Sequence, residues 1–165
     1  MGPLWEATRD MHHACEAHAV GAAMAGGAPP VEWYTQWLQA LHTIHSVVDP
    51  TLHPVLHRVE RLEQDIAAMQ IAVPQSNAAA QYAQSLNTDE ALAGAAYVLT
   101  GAHLMGGEIM RRRLSGYPTT HLEWDDRNMA LGELKTLRSR PDIAVPARAC
   151  FVALLAVMDE ILVGE

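Results

Sequence analysis

The chain has 165 residues, half of them apolar, with 11 Lys and Arg against 19 Asp and Glu and a net charge of −8. That length suits one domain with a full hydrophobic core, and that apolar share excludes a disordered chain. The acidic balance argues against nucleic acid, which needs an excess of cations, and leaves the run Arg111 to Arg113 as the one basic cluster that suits a small anion.

The N-terminal stretch MGPLWEATRD carries acids and an arginine where a secretory signal has an apolar core. No apolar run approaches the roughly 20 residues that span a bilayer. The expectation is a soluble, cytoplasmic protein with no membrane partner. Cys15 and Cys150 form no framework and each sits in an apolar helical pattern, so both read as free, buried thiols.

From Pro3 to Met24, Leu4, Ala7, Met11, Cys15, Ala19 and Ala22 recur at helical steps, which predicts a first helix that ends at GGAPP. A second starts near Val31, carries Trp33, Trp37, Leu38, Leu41, Ile44 and Val48, and stops at Asp49 and Pro50. Pro54 opens a third, through Leu56, Val59, Leu62, Ile66 and Met69. A short Ala-rich helix covers about Ser76 to Ser85. A long helix of about 27 residues runs from a cap at Asn87 or Thr88 to Ser115, with Gly116 suited to a left-handed cap and Pro118 beyond it. The later part of HLEWDDRNMALGELKTL is helical, and Pro146 opens the last helix, with Phe151, Leu154, Leu155, Met158, Ile161 and Leu162 on one face. There is no alternating strand pattern, repeat or linker. The fold class is all-α: a compact multi-helix bundle in a single domain over residues 1–165.

Nine histidines invite a search for metal sites. His42 and His45 share a helix face. His53 and His57 are four apart, but Pro54 pushes His53 towards an extended conformation. HExxH and ExxH are both missing, as are the GxSxG elbow and the GxxxxGK[ST] phosphate loop. Hydrogen-bonded or exposed imidazoles on amphipathic helices are the better reading of these four. His12 stands four residues before Glu16 on the first helix, a spacing that lets a carboxylate orient an imidazole whose other nitrogen binds a metal; a surface ion pair has the same spacing. His13 points about 100° away and His18 lies on neither stripe.

The stretch YVLTGAHLMGGEIMRRRL, Tyr97 to Leu114, carries Gly101, Gly106 and Gly107 although glycine costs a helix about 1 kcal/mol relative to alanine. Two explanations compete: close helix packing, or a flat ligand lying against the backbone. The arginines at its end either complement the helix dipole or pair with a ligand's carboxylates.

These segments resemble the haem oxygenase family of the bacterial, biliverdin-producing type. EATRDMHHACE resembles its proximal helix, YVLTGAHLMGGEIMRRRL its distal helix, and RVERLEQDIAAM, with Asp65 at the acidic position, an intervening segment. The three matches occur in the family's order, and the resemblance is clear from about Leu4 to Leu114. It implies a haem-oxygenase-like fold with haem held between the first and the glycine-bearing helices. It also implies cleavage at a meso carbon, with O2 and electrons from an external donor such as a ferredoxin or a flavoprotein reductase, to biliverdin, CO and iron. By the same resemblance His12 is the iron ligand, Glu16 its orienting acceptor, and Arg9 with one or more of Arg111, Arg112 and Arg113 the propionate partners. Gly101, Gly106 and Gly107 form the distal backbone surface, with protons supplied through water. The chain departs from the pattern at Thr100 and Ala102, and at Met105, which stands where the distal helix has a glycine. His103 occupies the variable position between, where it either faces away from the haem or competes with O2 as a ligand. Two further readings therefore stay open: a haem-binding or sensing protein without turnover, and a scaffold that binds no haem.

Overall fold

The computed structural model describes residues 2–164. In chain order the helices are α1 (Pro3–Ala17), α2 (Ala19–Ala25), α3 (Val31–Val48), α4 (Val59–Met69), α5 (Asn77–Ser85), α6 (Asp89–Met105), α7 (Gly107–Arg113), α8 (Arg127–Arg138) and α9 (Ala144–Val163). Short 3-10 turns lie at Asp49–Thr51, Pro54–Leu56, Thr120–Leu122 and Pro141–Ile143, and no strand occurs among the described residues. The all-α architecture expected from the periodicity is present.

The main core lies where α3, α6 and α9 meet. Leu38, Leu41, Ile44 and Val48 of α3 recur at three- and four-residue steps and bury completely, against Ala95 and Leu99 of α6 and Val157 and Ile161 of α9. A methyl group on Gly94 would lie 2.5 Å from Pro146 Cβ and 2.8 Å from Ala147 N, so at this crossing of α6 and α9 a glycine is required for backbones to touch. The first of the two explanations for small residues on α6 therefore holds at Gly94.

Several helix ends differ from the sequence expectation. The first helix is two, α1 and α2, broken at His18, whose backbone is extended. His18 Nδ1 accepts from Val20 N–H at 3.1 Å and its Nε2 donates to Asp159 Oδ1 of α9 at 2.8 Å, so the ring caps α2 and fastens it to α9. The long glycine-bearing helix is also two, α6 and α7, broken at Gly106, whose N–H still reaches Ala102 O. Pro54 opens only a 3-10 turn; α4 begins at Val59, because Asp49 accepts from the N–H groups of Arg58 (2.6 Å) and Val59 (3.0 Å) and thereby caps α4 from outside the helix. Gly116 takes no left-handed conformation; Tyr117 N–H turns the chain back onto Leu114 O at 3.0 Å.

Candidate functional site

α1 and α6 are each packed on α9. Arg148 of α9 holds α1 through Asp10 (2.7 Å) and Ala7 O (2.8 Å). At the start of the two helices Leu4 packs with Ala93 and Tyr97. Beyond Thr100 α6 carries an open face. Gly101 is half-buried, Ala102, Met105, Gly106 and Ile109 are exposed, and a methyl group on Gly101 would meet nothing within 4 Å. Met105 and Ile109 are 61% and 56% exposed, an unusual level for apolar side chains one turn apart.

At the other end α2 and α7 close together. Arg113 Nη1 donates to Ala25 O at 3.0 Å. Gly27, with φ of 82°, lies so close to the Arg113 carbonyl that a Cβ would sit 2.3 Å from its oxygen. Tyr117 O–H donates to Pro29 O (2.6 Å) and Tyr34 O–H to Pro118 O (2.7 Å), with the two rings 5.0 Å apart. The candidate groove is the stretch of α1–α2 and α6–α7 that lies between these two contacts.

His12 stands on the α1 side. Its Nδ1 lies 3.2 Å from Glu16 Oε1, and no hydrogen bond engages the ring among the described residues. The side chain is 37% exposed and is steadied by edge-on contacts with Trp5 (centroids 5.3 Å) and Phe151 (6.2 Å). Arg9, three residues before it, is exposed and only loosely near Glu6, at 3.9 Å. On α7, Arg111 turns away towards Glu123 (3.4 Å), and Arg113 is committed to Ala25. Arg112 follows Met105 and Ile109 along the open face, with its side chain 75% exposed and Glu108 at 3.4 Å. Gly107 is buried, and a methyl group on it would lie 3.6 Å from Leu122 Cδ2, so of the three glycines expected at the groove it does not contribute to the surface.

His103 points the opposite way, into the protein. Its ring stacks on His45 of α3 (5.4 Å, 19°) and meets His121 edge-on (5.6 Å, 81°). The three are buried, at 7%, 2% and 4% exposure. Burial and the neighbouring His45, His121 and Arg58 push His103 well below the usual imidazole range. His45 Nδ1 donates to Asp49 (2.8 Å) and His121 Nδ1 to Asp65 (2.6 Å). Asp65 also accepts from the N–H groups of Thr120 (3.0 Å) and His121 (2.9 Å) and from the Thr120 hydroxyl. Burial pushes the Asp65 carboxyl up, but the hydrogen bonds from His121 and Thr120 more than offset it and hold it below the ordinary value. Arg58 lies 3.7 Å over the Trp124 ring and donates to His121 O and Glu123 O. The four-residue step from His45 to Asp49 is the one local sequence signal for this cluster; the rest depends on three segments meeting. A cavity of about 310 Å3 opens beside His103, between Leu104, Trp124 and Arg127. No group of three or more potential metal ligands occurs among the described residues, and no described helix is long and apolar enough to cross a membrane.

The Heme oxygenase family model matches residues 2–142. No curated protein matches the chain at a significant level. The fold is similar to that of heme oxygenase from Leptospira interrogans, with a TM-score of 0.82 and 19% identity over 95% of this chain and 97% of that one. It is similar to heme oxygenase-1 from the cyanobacterium Synechocystis, solved in complex with heme, at 0.82 and 17% over 98% and 91%. Heme oxygenase-2 from the same organism, solved with heme and NO, gives 0.77 and 19% over 96% and 83%. At such identities the likeness to these structures is one of fold.

Proposed function

The chain belongs to the haem oxygenase family, and from that membership we propose that it seats haem between α1 and α6–α7 and opens the macrocycle to biliverdin, CO and iron. O2 and electrons from an external donor complete the reaction. The observation that carries this reading is Gly101, the glycine of α6 whose missing side chain leaves open space rather than a packed neighbour.

The residues of the groove fit the group. An imidazole nitrogen is the ordinary protein ligand of haem iron, and bound haem would supply the O2 chemistry. His12 would hold the iron through Nε2. Its Nδ1 faces Glu16, and a hydrogen bond to that carboxylate would fix the tautomer and raise the basicity of the ligating nitrogen. Gly101 and Ala102 let a flat ligand lie close to the α6 backbone. Met105 and Ile109 lose exposed apolar surface when it does, which favours seating. Arg9 and Arg112, each beside only an exposed glutamate, are the cations proposed to pair with propionates, and an arginine fork suits a carboxylate. Neither the interior trio nor the two acids that hold it face this groove. The trio's part is to order the back of α6 through stacking on His103.

The test is one cuvette. Purified protein with stoichiometric haem is followed by absorbance, first alone, then with a reductant and air. A Soret shift followed by biliverdin formation supports the proposal. A Soret shift with haem left intact would favour a haem-binding protein of the same fold without turnover, a reading that the exposed Met105 beside Gly101 supports. No Soret shift leaves a scaffold.

A further inference from the structure

The two ring nitrogens of His12 have unlike surroundings. Nδ1 is buried without a hydrogen bond, whereas Nε2 is not among the buried atoms. The exposed 37% of the side chain therefore lies on the edge away from Nδ1, the edge that carries Nε2. The χ2 torsion of histidine is broad and roughly two-fold. A half-turn about it exchanges the sides on which the nitrogens lie, so the backbone alone does not decide which nitrogen is open.

Two aromatic side chains bear on that torsion. Trp5 stands seven residues earlier on the same stripe of α1, and a helical side chain leans towards the N-terminus, so His12 leans onto the indole, with centroids 5.3 Å apart and planes at 61°. Phe151 comes from α9, is buried in the main core, and meets the imidazole edge-on at 6.2 Å and 79°. Arg148, one turn before Phe151, grips Asp10 at 2.7 Å and Ala7 O at 2.8 Å on α1, which fixes Phe151 relative to His12. The neighbouring His13 shows what the second wall adds. Its ring meets the same indole at 6.4 Å, but it pairs with no ring of α9 among the described residues and is exposed.

We propose that Trp5 and Phe151 are positioning residues for His12: they hold the imidazole in one plane with Nε2 outward, and thereby make His12 rather than His13 the histidine prepared to bind iron. This rests on the haem reading above. A ligating side chain has to be held within roughly 10–20° of its working orientation by the packing around it, and the two aromatic contacts are that packing.

The experiment uses the full chain as wild type, Trp5→Ala, Trp5→Phe and His13→Ala, in two arms, each run well below the melting point of every variant. Without haem, nuclear Overhauser contacts of the His12 ring protons read the orientation of the ring. Wild type and Trp5→Phe are expected to show one orientation, touching both aromatic neighbours, and Trp5→Ala two orientations in exchange. With ferric haem and cyanide, electron paramagnetic resonance reads the plane of the ligating imidazole. Wild type, Trp5→Phe and His13→Ala are expected to give a single low-spin signal, and Trp5→Ala a split or broadened one. A His12 ring that already exchanges in wild type, a Trp5→Ala signal as narrow as that of wild type, a Trp5→Phe signal as broad as that of Trp5→Ala, or loss of the signal in His13→Ala overturns the inference and leaves haem binding standing. A wild-type chain with no Soret shift overturns both.

Discussion

His12 on α1 and the trio His45, His103 and His121 are the same chemical group in opposite settings. His12 has over a third of its side chain in solvent and makes no hydrogen bond among the described residues. The trio is buried, stacked, and tied through two of its rings to Asp49 and Asp65. A ligand needs an accessible lone pair with a steadied ring, which describes His12. A buried imidazole bound to a carboxylate organises its surroundings instead, and here the surroundings are the α4 N-terminus, the Thr120–Leu122 turn and the back of α6. Even the trio is incompletely satisfied: His45 Nε2 and His103 Nδ1 have no partner among the described residues, in a setting where an orphaned polar atom costs about 1–3 kcal/mol.

The contrast breaks most sharply at His12. His12→Ala is expected to remove histidine ligation of added haem completely while leaving the thermal melt unchanged. A histidine-ligated spectrum in that variant would move the ligand elsewhere. The mirror experiment is Asp65→Ala. It strips the acceptor from His121 Nδ1, two backbone N–H groups and the Thr120 hydroxyl, and removing one partner of a buried pair costs about 3–5 kcal/mol. Urea unfolding should show that loss, while the folded fraction keeps its haem spectrum.

Acidity separates the two groups more gently. His103 and His121 are held below the usual imidazole value in the folded state, mainly by burial. The unfolded chain therefore takes up protons near pH 6.5 that the folded one refuses, so stability falls as pH drops below that point. Asp49 and Asp65, also held below their ordinary values, add a second loss below about pH 4 as the folded carboxylates are protonated. His103→Leu should flatten the first limb and leave the second; an unchanged first limb would show that His103 does not carry it. The smallest effect belongs to Arg112→Ala: stability within about 0.5 kcal/mol of wild type, and haem binding weaker by about tenfold if a propionate loses its charged partner. Equal haem affinity would remove Arg112 from the groove's function.

Much of the fold was legible because helices advertise themselves at a 3.6-residue period. α3 lies at the bounds its apolar stripe implied. The helix ends were less legible where the cause is tertiary. His18 interrupts α1–α2 because Asp159, on the last helix, holds its ring, and nothing near residue 18 announces that. α4 starts at Val59 because a carboxylate from the end of α3 caps it. At the site, His12 and the glycines were readable from spacing and from family resemblance together. The direction of His103 was not: it depends on which neighbours stack behind α6. The glycines of α6 and α7 divide by position, Gly94 for packing, Gly101 for open space, Gly106 for the break and Gly107 beneath Leu122, and residue type alone could not make that division.

Gly27 meets the Arg113 carbonyl at one end of the candidate groove, and Leu4 meets Ala93 and Tyr97 at the other. Under the proposed haem reading, a planar guest would be bounded at the first of these ends by backbone, the least yielding part of the chain, and any side chain at 27 would have to displace that carbonyl, so a substitution there is expected to shift the end of the groove.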